Sequence, residues 1–128
     1  MKNAEYIPAV LASDSPVLLL CEAEKLDEVS KLAREHRPTS VFLGEIRNSL
    51  DFFKFFEANF DKDIVVVMDG PAGKDPVVLN LLKSFLMASP VSWSSMVYSS
   101  KFTYTGRCTV VAAKAEESIK SRTLYVEV

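Results

Sequence analysis

Short apolar runs alternate with amphipathic stretches along this chain of 128 residues. Four of the runs are mostly apolar, as expected for strands that are covered on both faces of a parallel sheet. These runs span residues 17–21, 39–43, 64–68 and 108–113. Three longer stretches carry apolar side chains at helical spacing, and they span residues 23–36, 50–60 and 77–86. A short helical turn at 116–120 leads to a final strand at 124–128.

The period of the pattern changes to two between Val91 and Tyr104, which is typical of strands with one covered face. Ser99–Lys101 and Thr105-Gly106 have the composition of turns, so this segment predicts a β-hairpin inserted before the last strands. Elsewhere the alternation of strands and helices predicts an α/β fold. We expect a single domain over residues 1–128, with three layers: a mostly parallel sheet and helices on both of its faces.

The charge balance excludes some classes of protein. Fifteen basic and 17 acidic residues give a net charge of −2. This excludes a strongly cationic protein that binds nucleic acid or membranes through its overall positive charge. Acidic residues dominate up to Gly70 and basic residues after it, so an anionic partner would meet the C-terminal half. The longest apolar run, Val17–Cys21, is far shorter than the ~20 residues that cross a bilayer, and no secretion signal precedes it. We therefore expect a cytoplasmic protein without membrane contact.

The residues needed for common catalytic and metal sites are missing. His36 is the only histidine, and Cys21 and Cys108 lie in separate apolar runs, which leaves neither a Cys/His zinc site nor a nucleophilic triad. A phosphate-binding loop needs glycines after the first strand, but residues 21–25 read Cys-Glu-Ala-Glu-Lys. Residues 70–75, Gly-Pro-Ala-Gly-Lys-Asp, form too short a loop and end in aspartate. The sequence predicts no catalysis, no metal and no cofactor.

Three stretches of the second part of the chain occur in a suggestive order. The first, at residues 45–50, reads Glu-Ile-Arg-Asn-Ser-Leu. The second is a predicted strand at 64–69 followed by Leu-Asn-Leu-Leu-Lys-Ser-Phe at 79–85. The third is a predicted strand at 108–113 followed by Ser-Ile-Lys-Ser-Arg-Thr at 118–123. Together they resemble the Ile-Arg segment, the Walker B strand with its following helix, and the sensor strand with its Ser-Arg-Cys motif in DNA polymerase clamp-loader subunits. The likeness is greatest to the delta-prime type of DNA polymerase III subunit and covers roughly residues 41–128.

This resemblance implies a P-loop NTPase core of the AAA+ type and a role in DNA replication. Arg122 stands where the family has an arginine finger, which reaches the γ-phosphate held by a neighbouring subunit. Ser121 matches the flanking serine, and Lys114 lies just past the sensor strand. The partners implied are clamp-loader or polymerase subunits. From its position alone, Arg122 is also compatible with a surface arginine at the start of an edge strand.

The chain departs from the family in ways that remove catalysis. Asp69 matches the first acid of Walker B, but Gly70 stands in place of the second, and Thr123 replaces the cysteine of Ser-Arg-Cys. The phosphate loop is absent from the sequence, and we expect no lid or collar domain. The expectation is therefore a non-catalytic clamp-loader-like subunit or mimic that acts through protein–protein contacts.

The hairpin is a second candidate surface. Its aromatic and basic residues resemble a platform on which single-stranded DNA stacks, where each base contributes ~1–3 kcal/mol. These residues are Trp93, Tyr98, Lys101, Phe102, Tyr104 and Arg107. The alternative is that the aromatic side chains pack into the sheet or cover a helix.

Two other functions remain open. Residues 37–47 resemble the Gly-Glu-Ile-Arg box of secretion ATPases, although no phosphate loop accompanies it. The chain is also compatible with an α/β adaptor, such as a viral or mobile-element protein that binds a host factor. The exposed end of a parallel sheet would in addition allow self-association into an oligomer.

Overall fold

Five parallel strands form the centre of the structure, a computed structural model that describes residues 3–70 and 74–128. Two further strands form a separate antiparallel hairpin. In chain order the seven strands are β1 (Val17–Leu20), β2 (Ser40–Phe42), β3 (Ile64–Val67), β4 (Pro90–Ser94), β5 (Ser99–Thr103), β6 (Cys108–Ala112) and β7 (Leu124–Glu127). The parallel sheet has the order β2-β3-β6-β1-β7, and β4 pairs with β5.

Helices connect these strands in the described residues. They are α1 (Ile7–Leu11), α2 (Leu26–His36), α3 (Ser49–Ala58), α4 (Pro76–Leu86) and α5 (Glu117–Lys120), with 3₁₀ turns at Ala4–Tyr6, Ala23–Lys25 and Leu43–Glu45. α3 begins where the side chain of Asn48 accepts a hydrogen bond of 2.9 Å from the Asp51 amide. α4 begins in the same way, because Asp75 accepts from the Val77 amide at 2.8 Å.

The two faces of the sheet carry different helices. On one face, α1 and α2 bury Ile7 and Val29 against Val17 and Leu19 of β1. On the other face, Leu18 of β1 belongs to a second core that contains α3, α4, α5 and the hairpin. Because side chains alternate along a strand, one apolar run such as β1 supplies both cores. This explains why its sequence is apolar at every position.

The predicted α/β architecture is confirmed: the sheet is parallel, helices cover both faces and a hairpin lies between α4 and β6. The short helix α1 was not predicted, since Ile7 and Leu11 are the only buried side chains in it. The loop at 70–75, which by its sequence is too short to hold phosphate, lies partly outside the described residues, because its residues 71–73 are not described.

One predicted turn is wrong. Residues Ser99–Lys101 begin strand β5, and the hairpin turns earlier, at residues 95–98. There the Ser95 hydroxyl accepts a hydrogen bond of 3.1 Å from the Tyr98 amide, while the Ser95 amide donates to the Tyr98 carbonyl at 2.8 Å. A serine side chain that bonds to nearby backbone can hold such a turn without glycine.

Candidate functional site

The strand order creates a crevice at the carboxyl end of β1. The chain leaves β1 towards α2 on one face of the sheet and leaves the neighbouring β6 towards α5 on the other. Ligands of α/β proteins bind at such switch points, outside the carboxyl ends of the strands. A cleft of about 640 Å³ opens there in this protein. Its charged wall residues are Glu22, Lys114, Lys120 and Glu127.

The loop after β1 brings negative charge to this cleft. Glu22 and Glu24 are both exposed around the 3₁₀ turn that precedes α2. A hydrogen bond from its own backbone amide lowers the pKa of the Glu24 carboxyl. A bound phosphate needs free amide donors and positive charge at this position. The loop instead presents two carboxylates, of which Glu22 lines the cleft.

Lys114 stands between this cleft and a second one. The second cleft measures about 440 Å³ and is lined by Met68, Leu79 and Ile119 as well as by Lys114. An ion pair of 2.8 Å between Lys83 Nζ and a Glu116 carboxylate oxygen ties α4 to the start of α5 beside it. The hydrogen bond from Lys83 lowers the pKa of Glu116. Lys114 itself is exposed, so its ammonium group is accessible to a partner.

The carboxylate of Asp69 is engaged by the protein's own backbone. Its Oδ1 atom accepts a hydrogen bond of 2.8 Å from the Gly44 amide, which joins the loops after β2 and β3. Gly70 next to it has φ of +70°, and a Cβ atom there would lie 2.8 Å from the Gly44 Cα. The two loops therefore approach too closely for any other residue at position 70. Asp69 has a structural role in this contact.

Arg122 lies at the end of α5, folded back onto the protein. Its Nη1 donates to the Ser118 carbonyl, and its Nε lies 3.1 Å from the sulfur of Met87, just after α4. Ser121 donates to the same Ser118 carbonyl at 3.3 Å. The structure thus brings Ser121 and Arg122 together on one carbonyl, while Lys114 lies before α5. Lys120, on the same helix, lines the cleft at the carboxyl end of β1, although the sequence analysis did not single it out.

The aromatic residues of the hairpin face α3. The ring centroids of Trp93, Tyr98 and Phe102 lie 5.8, 6.3 and 5.1 Å from that of Phe53. Tyr104 is 1% exposed, and its hydroxyl donates to the Lys62 carbonyl at 2.8 Å. These rings therefore cover the helix, as the alternative interpretation of the pattern expected.

The polar groups of the hairpin are also largely paired within the chain. Arg107 binds Asp63 through two guanidinium nitrogens, at 2.7 and 3.1 Å, and this lowers the pKa of the aspartate. The Tyr98 hydroxyl donates to Glu57, which also accepts from Ser100. Lys101 is exposed. Contact between this surface and nucleic acid stays a prediction.

The hairpin tip holds two residues that the sequence analysis did not single out. Met96 and Val97 are essentially fully exposed, unlike the aromatic residues around them. The sequence did contain a signal for Met96 and Val97, because they form an apolar pair inside the serine-rich stretch 94–100. It was missed because the turn was placed three residues too late.

The histidine and cysteine residues have no arrangement suited to catalysis. His36 is exposed at the end of α2, and both cysteines are buried and free. Burial raises the pKa of the Cys108 thiol to about 12 and also raises that of Cys21, so neither is a ready nucleophile. Among residues 3–70 and 74–128, no three histidine, cysteine or acidic side chains cluster as metal ligands would. No helix in the same part of the chain could span a bilayer.

Comparison with known proteins gives no family for this chain: no protein-family model matches it, and no curated protein is significantly similar to it. The class that the structure itself defines is an α/β protein with a five-stranded parallel sheet and an inserted antiparallel hairpin.

Proposed function

We propose that this chain is a degenerate AAA+-like domain that acts without a nucleotide of its own, as a clamp-loader-like subunit in a DNA replication assembly. The observation that carries the proposal is the loop after β1, where Glu22 and Glu24 occupy the position at which an ATPase would hold phosphate. A domain of this kind would keep the ATPase architecture but would no longer bind the nucleotide, because the carboxylates repel its phosphates. Its remaining use is contact with other proteins.

The topology supports the ATPase part of the proposal. With the hairpin set aside, the strands lie in the order second, third, fourth, first, fifth, so that β1 is flanked by β6 and β7. This is the arrangement expected of the AAA+-like core that the sequence resemblance implies. The engagement of Asp69 by the Gly44 amide supports the loss of catalysis, because that carboxylate already serves as a backbone acceptor.

The end of α5 is the contact surface that the resemblance implies. Arg122 is half-buried there, with Ser121 beside it. Its present partners are a carbonyl oxygen and a methionine sulfur, both neutral. A phosphate or carboxylate of a neighbouring subunit would be a stronger partner for the guanidinium than either, because an anion adds a full negative charge and can accept two parallel N–H···O hydrogen bonds from it.

The nucleotide part is tested by titration calorimetry with Mg-ATP. The wild-type chain should release no binding heat. A Glu22→Gly/Glu24→Gly variant removes the negative charge of the loop and reports whether charge alone excludes phosphate. Stoichiometric ATP binding by the wild type would overturn the proposal and favour a nucleotide enzyme.

The partner is tested by affinity capture from extract of the source cells, with mass-spectrometric identification. We expect clamp, clamp-loader or polymerase subunits with the wild type, and a loss of at least tenfold with Arg122→Ala. Lys31→Ala is the matched control, because Lys31 is an exposed cation on α2 and lies in none of the stretches that carry the resemblance. If the captured proteins have no role in replication and the Arg122→Ala variant captures them equally well, the α/β adaptor is favoured instead.

Single-stranded DNA binding by the hairpin is a second candidate function, favoured by the exposure of Lys101 together with Met96 and Val97 at the tip. Fluorescence anisotropy with a labelled oligonucleotide tests it. Binding should weaken severalfold with Lys101→Ala and remain unchanged with Lys31→Ala, a control on the exposed side of α2. Equal binding by both variants would exclude the hairpin as the DNA contact.

A further inference from the structure

One edge of the parallel sheet carries open backbone groups. β7 lies at the end of the strand order, and among residues 3–70 and 74–128 its only strand partner is β1. The amides of Leu124 and Val128 donate to carbonyls of the β1 side, at 2.8 and 2.7 Å. Because successive residues of a strand point in opposite directions within the sheet, the backbone groups of Tyr125 and Glu127 face outwards. The Glu127 carbonyl does so visibly, since it accepts from the Asn3 side chain at 2.6 Å.

Strand β7 exposes large apolar side chains to solvent. Leu124 is 47% exposed and Tyr125 is 48% exposed. Leu124 and Val126, with Tyr6 and Val10, line an apolar groove of about 400 Å³ on the α1 face of the sheet. An open strand edge with apolar side chains is a template for pairing with another strand.

The other face of the same edge carries one cation and one anion. Lys120 Nζ lies 5.7 Å from the centroid of the Tyr125 ring, on the α5 side. Glu127 follows Tyr125 by two residues and therefore shares that side, and both Lys120 and Glu127 line the cleft at the end of β1. The cation of one copy could therefore pair with the anion of a second copy placed against the same edge.

We propose that β7 pairs antiparallel with β7 of a second copy of this chain, about a two-fold axis at Val126. Tyr125 then lies opposite Glu127 of the second copy, and each such pair exchanges two N–H···O hydrogen bonds. On the α1 face, Leu124 lies opposite Val128 of the second copy, so the apolar row continues across the axis. The interface is isologous, with the same surface used by both copies.

Charge selects this register over its neighbours. With the axis at Val126, Glu127 of each copy lies beside Tyr125 and Lys120 of the other, which places opposite charges together twice. A shift of the axis to residue 127 would place the two Glu127 side chains directly opposite each other, and like charges in that position are destabilising. A shift to residue 125 would place Glu127 opposite Thr123 instead of Tyr125, and so away from the Lys120 ammonium that lies by the Tyr125 ring.

The Asn3 side chain competes with this pairing. Its amide occupies the outward carbonyl of Glu127 in the single copy. The amide of Tyr125 from the second copy takes that carbonyl in the dimer. Asn3→Ala removes the competitor and should strengthen self-association.

Sedimentation velocity of the full chain, over micromolar to millimolar concentrations, tests the proposal. We expect a reversible monomer–dimer equilibrium. Glu127→Lys and Lys120→Glu should each raise the dimer dissociation constant by about tenfold or more, and the double exchange should restore it. Glu28→Lys, the same charge change on α2 where Glu28 pairs with Lys25 at 3.8 Å, is the matched control.

A backbone variant separates edge pairing from folding. Tyr125→Pro removes an outward N–H and leaves the amides that bind β1 in place, so it should give a folded monomer by circular dichroism. Glu127→Gln is the milder variant if a charge reversal impairs folding. A wild-type chain that is monomeric at every concentration, or a dimer that neither single exchange weakens, would overturn the proposal. Failure of the double exchange to restore the dimer would overturn the register. None of these outcomes depends on nucleotide binding or on replication partners.

Discussion

The hairpin and strand β7 both lie at the periphery of the fold, yet only one of them is covered. The apolar side chains of β4 and β5 lie against Phe53 and Phe85, and their backbone groups pair with each other. β7 has one paired side, one open side and half-exposed Leu124 and Tyr125. β4 and β5 each have one open backbone side as well, so the two regions differ in their side chains: those of the hairpin strands pack on the chain's own helices, whereas Leu124 and Tyr125 of β7 stay accessible to a partner. Aromatic content alone did not distinguish the two, because it marks packing as readily as binding.

Phe56→Ala should have the largest effect on the covered region. Phe56 is fully buried, and its ring stacks on Phe85 with centroids 4.1 Å apart and meets Tyr104 edge-on at 5.0 Å. Its removal leaves a cavity between α3, α4 and the hairpin, and should lower the free energy of unfolding by ~3–5 kcal/mol. Urea denaturation measures this.

The matched control for Phe56 is Phe60, which is 46% exposed just after α3. Phe60→Ala should lower the unfolding free energy by less than ~1 kcal/mol. Equal losses in the two variants would show that the hairpin cluster is not the stabilising centre that its packing indicates.

Arg37→Ala should have the next largest effect. Arg37 is 3% exposed, and its guanidinium donates to the Thr109 hydroxyl and to the Leu11 carbonyl, so it joins α1 and α2 to β6. Burial lowers its pKa, because a desolvated cation is less stable. Its loss would leave buried acceptors without donors, and we expect a loss of ~2–4 kcal/mol in thermal or urea unfolding.

Arg34→Ala is the comparison for Arg37, one turn earlier on α2. Arg34 bonds to the Ser30 carbonyl and lies over the Phe42 ring at 4.9 Å, in a half-buried position. Its removal should lower the unfolding free energy by less than ~1 kcal/mol. A smaller loss for Arg37 than for Arg34 would contradict the anchoring role of the buried guanidinium.

The sequence predicted the regular elements well because each carries its own periodicity. Ile64–Val67 is apolar and β-branched, and its four residues are all buried as a central parallel strand requires. The anchoring role of Arg37 could not be predicted from the sequence, because only the three-dimensional fold brings Thr109 and Leu11 to it. The same limit applies to the cleft at the end of β1, whose wall residues come from positions 20–22, 113–115, 120 and 127–128. No local pattern links residues that far apart.

Acid should weaken the contacts that hold the hairpin to the rest of the molecule. The hydrogen bonds from Arg107 lower the folded-state pKa of Asp63, and those from Ser100 and Tyr98 lower that of Glu57. Their contribution to stability is present above the unfolded-state pKa of about 4 and is lost as the pH falls through the folded-state values. Unfolding measured between neutral and strongly acidic pH should therefore show a stability that falls below about pH 4. Asp63→Asn should flatten that fall, and an unchanged pH profile would contradict the assignment.

Leu124→Ser should have the smallest effect on stability and a clear effect on association. Leu124 is already 47% exposed, so its replacement should change the unfolding free energy by less than ~1 kcal/mol. In the proposed dimer the same side chain is covered by the second copy, and its replacement should raise the dimer dissociation constant severalfold. Ser92→Ala on the exposed side of β4 is the control and should leave association unchanged. If Leu124→Ser instead destabilised the chain as strongly as Phe56→Ala, β7 would be a covered strand like those of the hairpin, and the contrast between the two regions would fail.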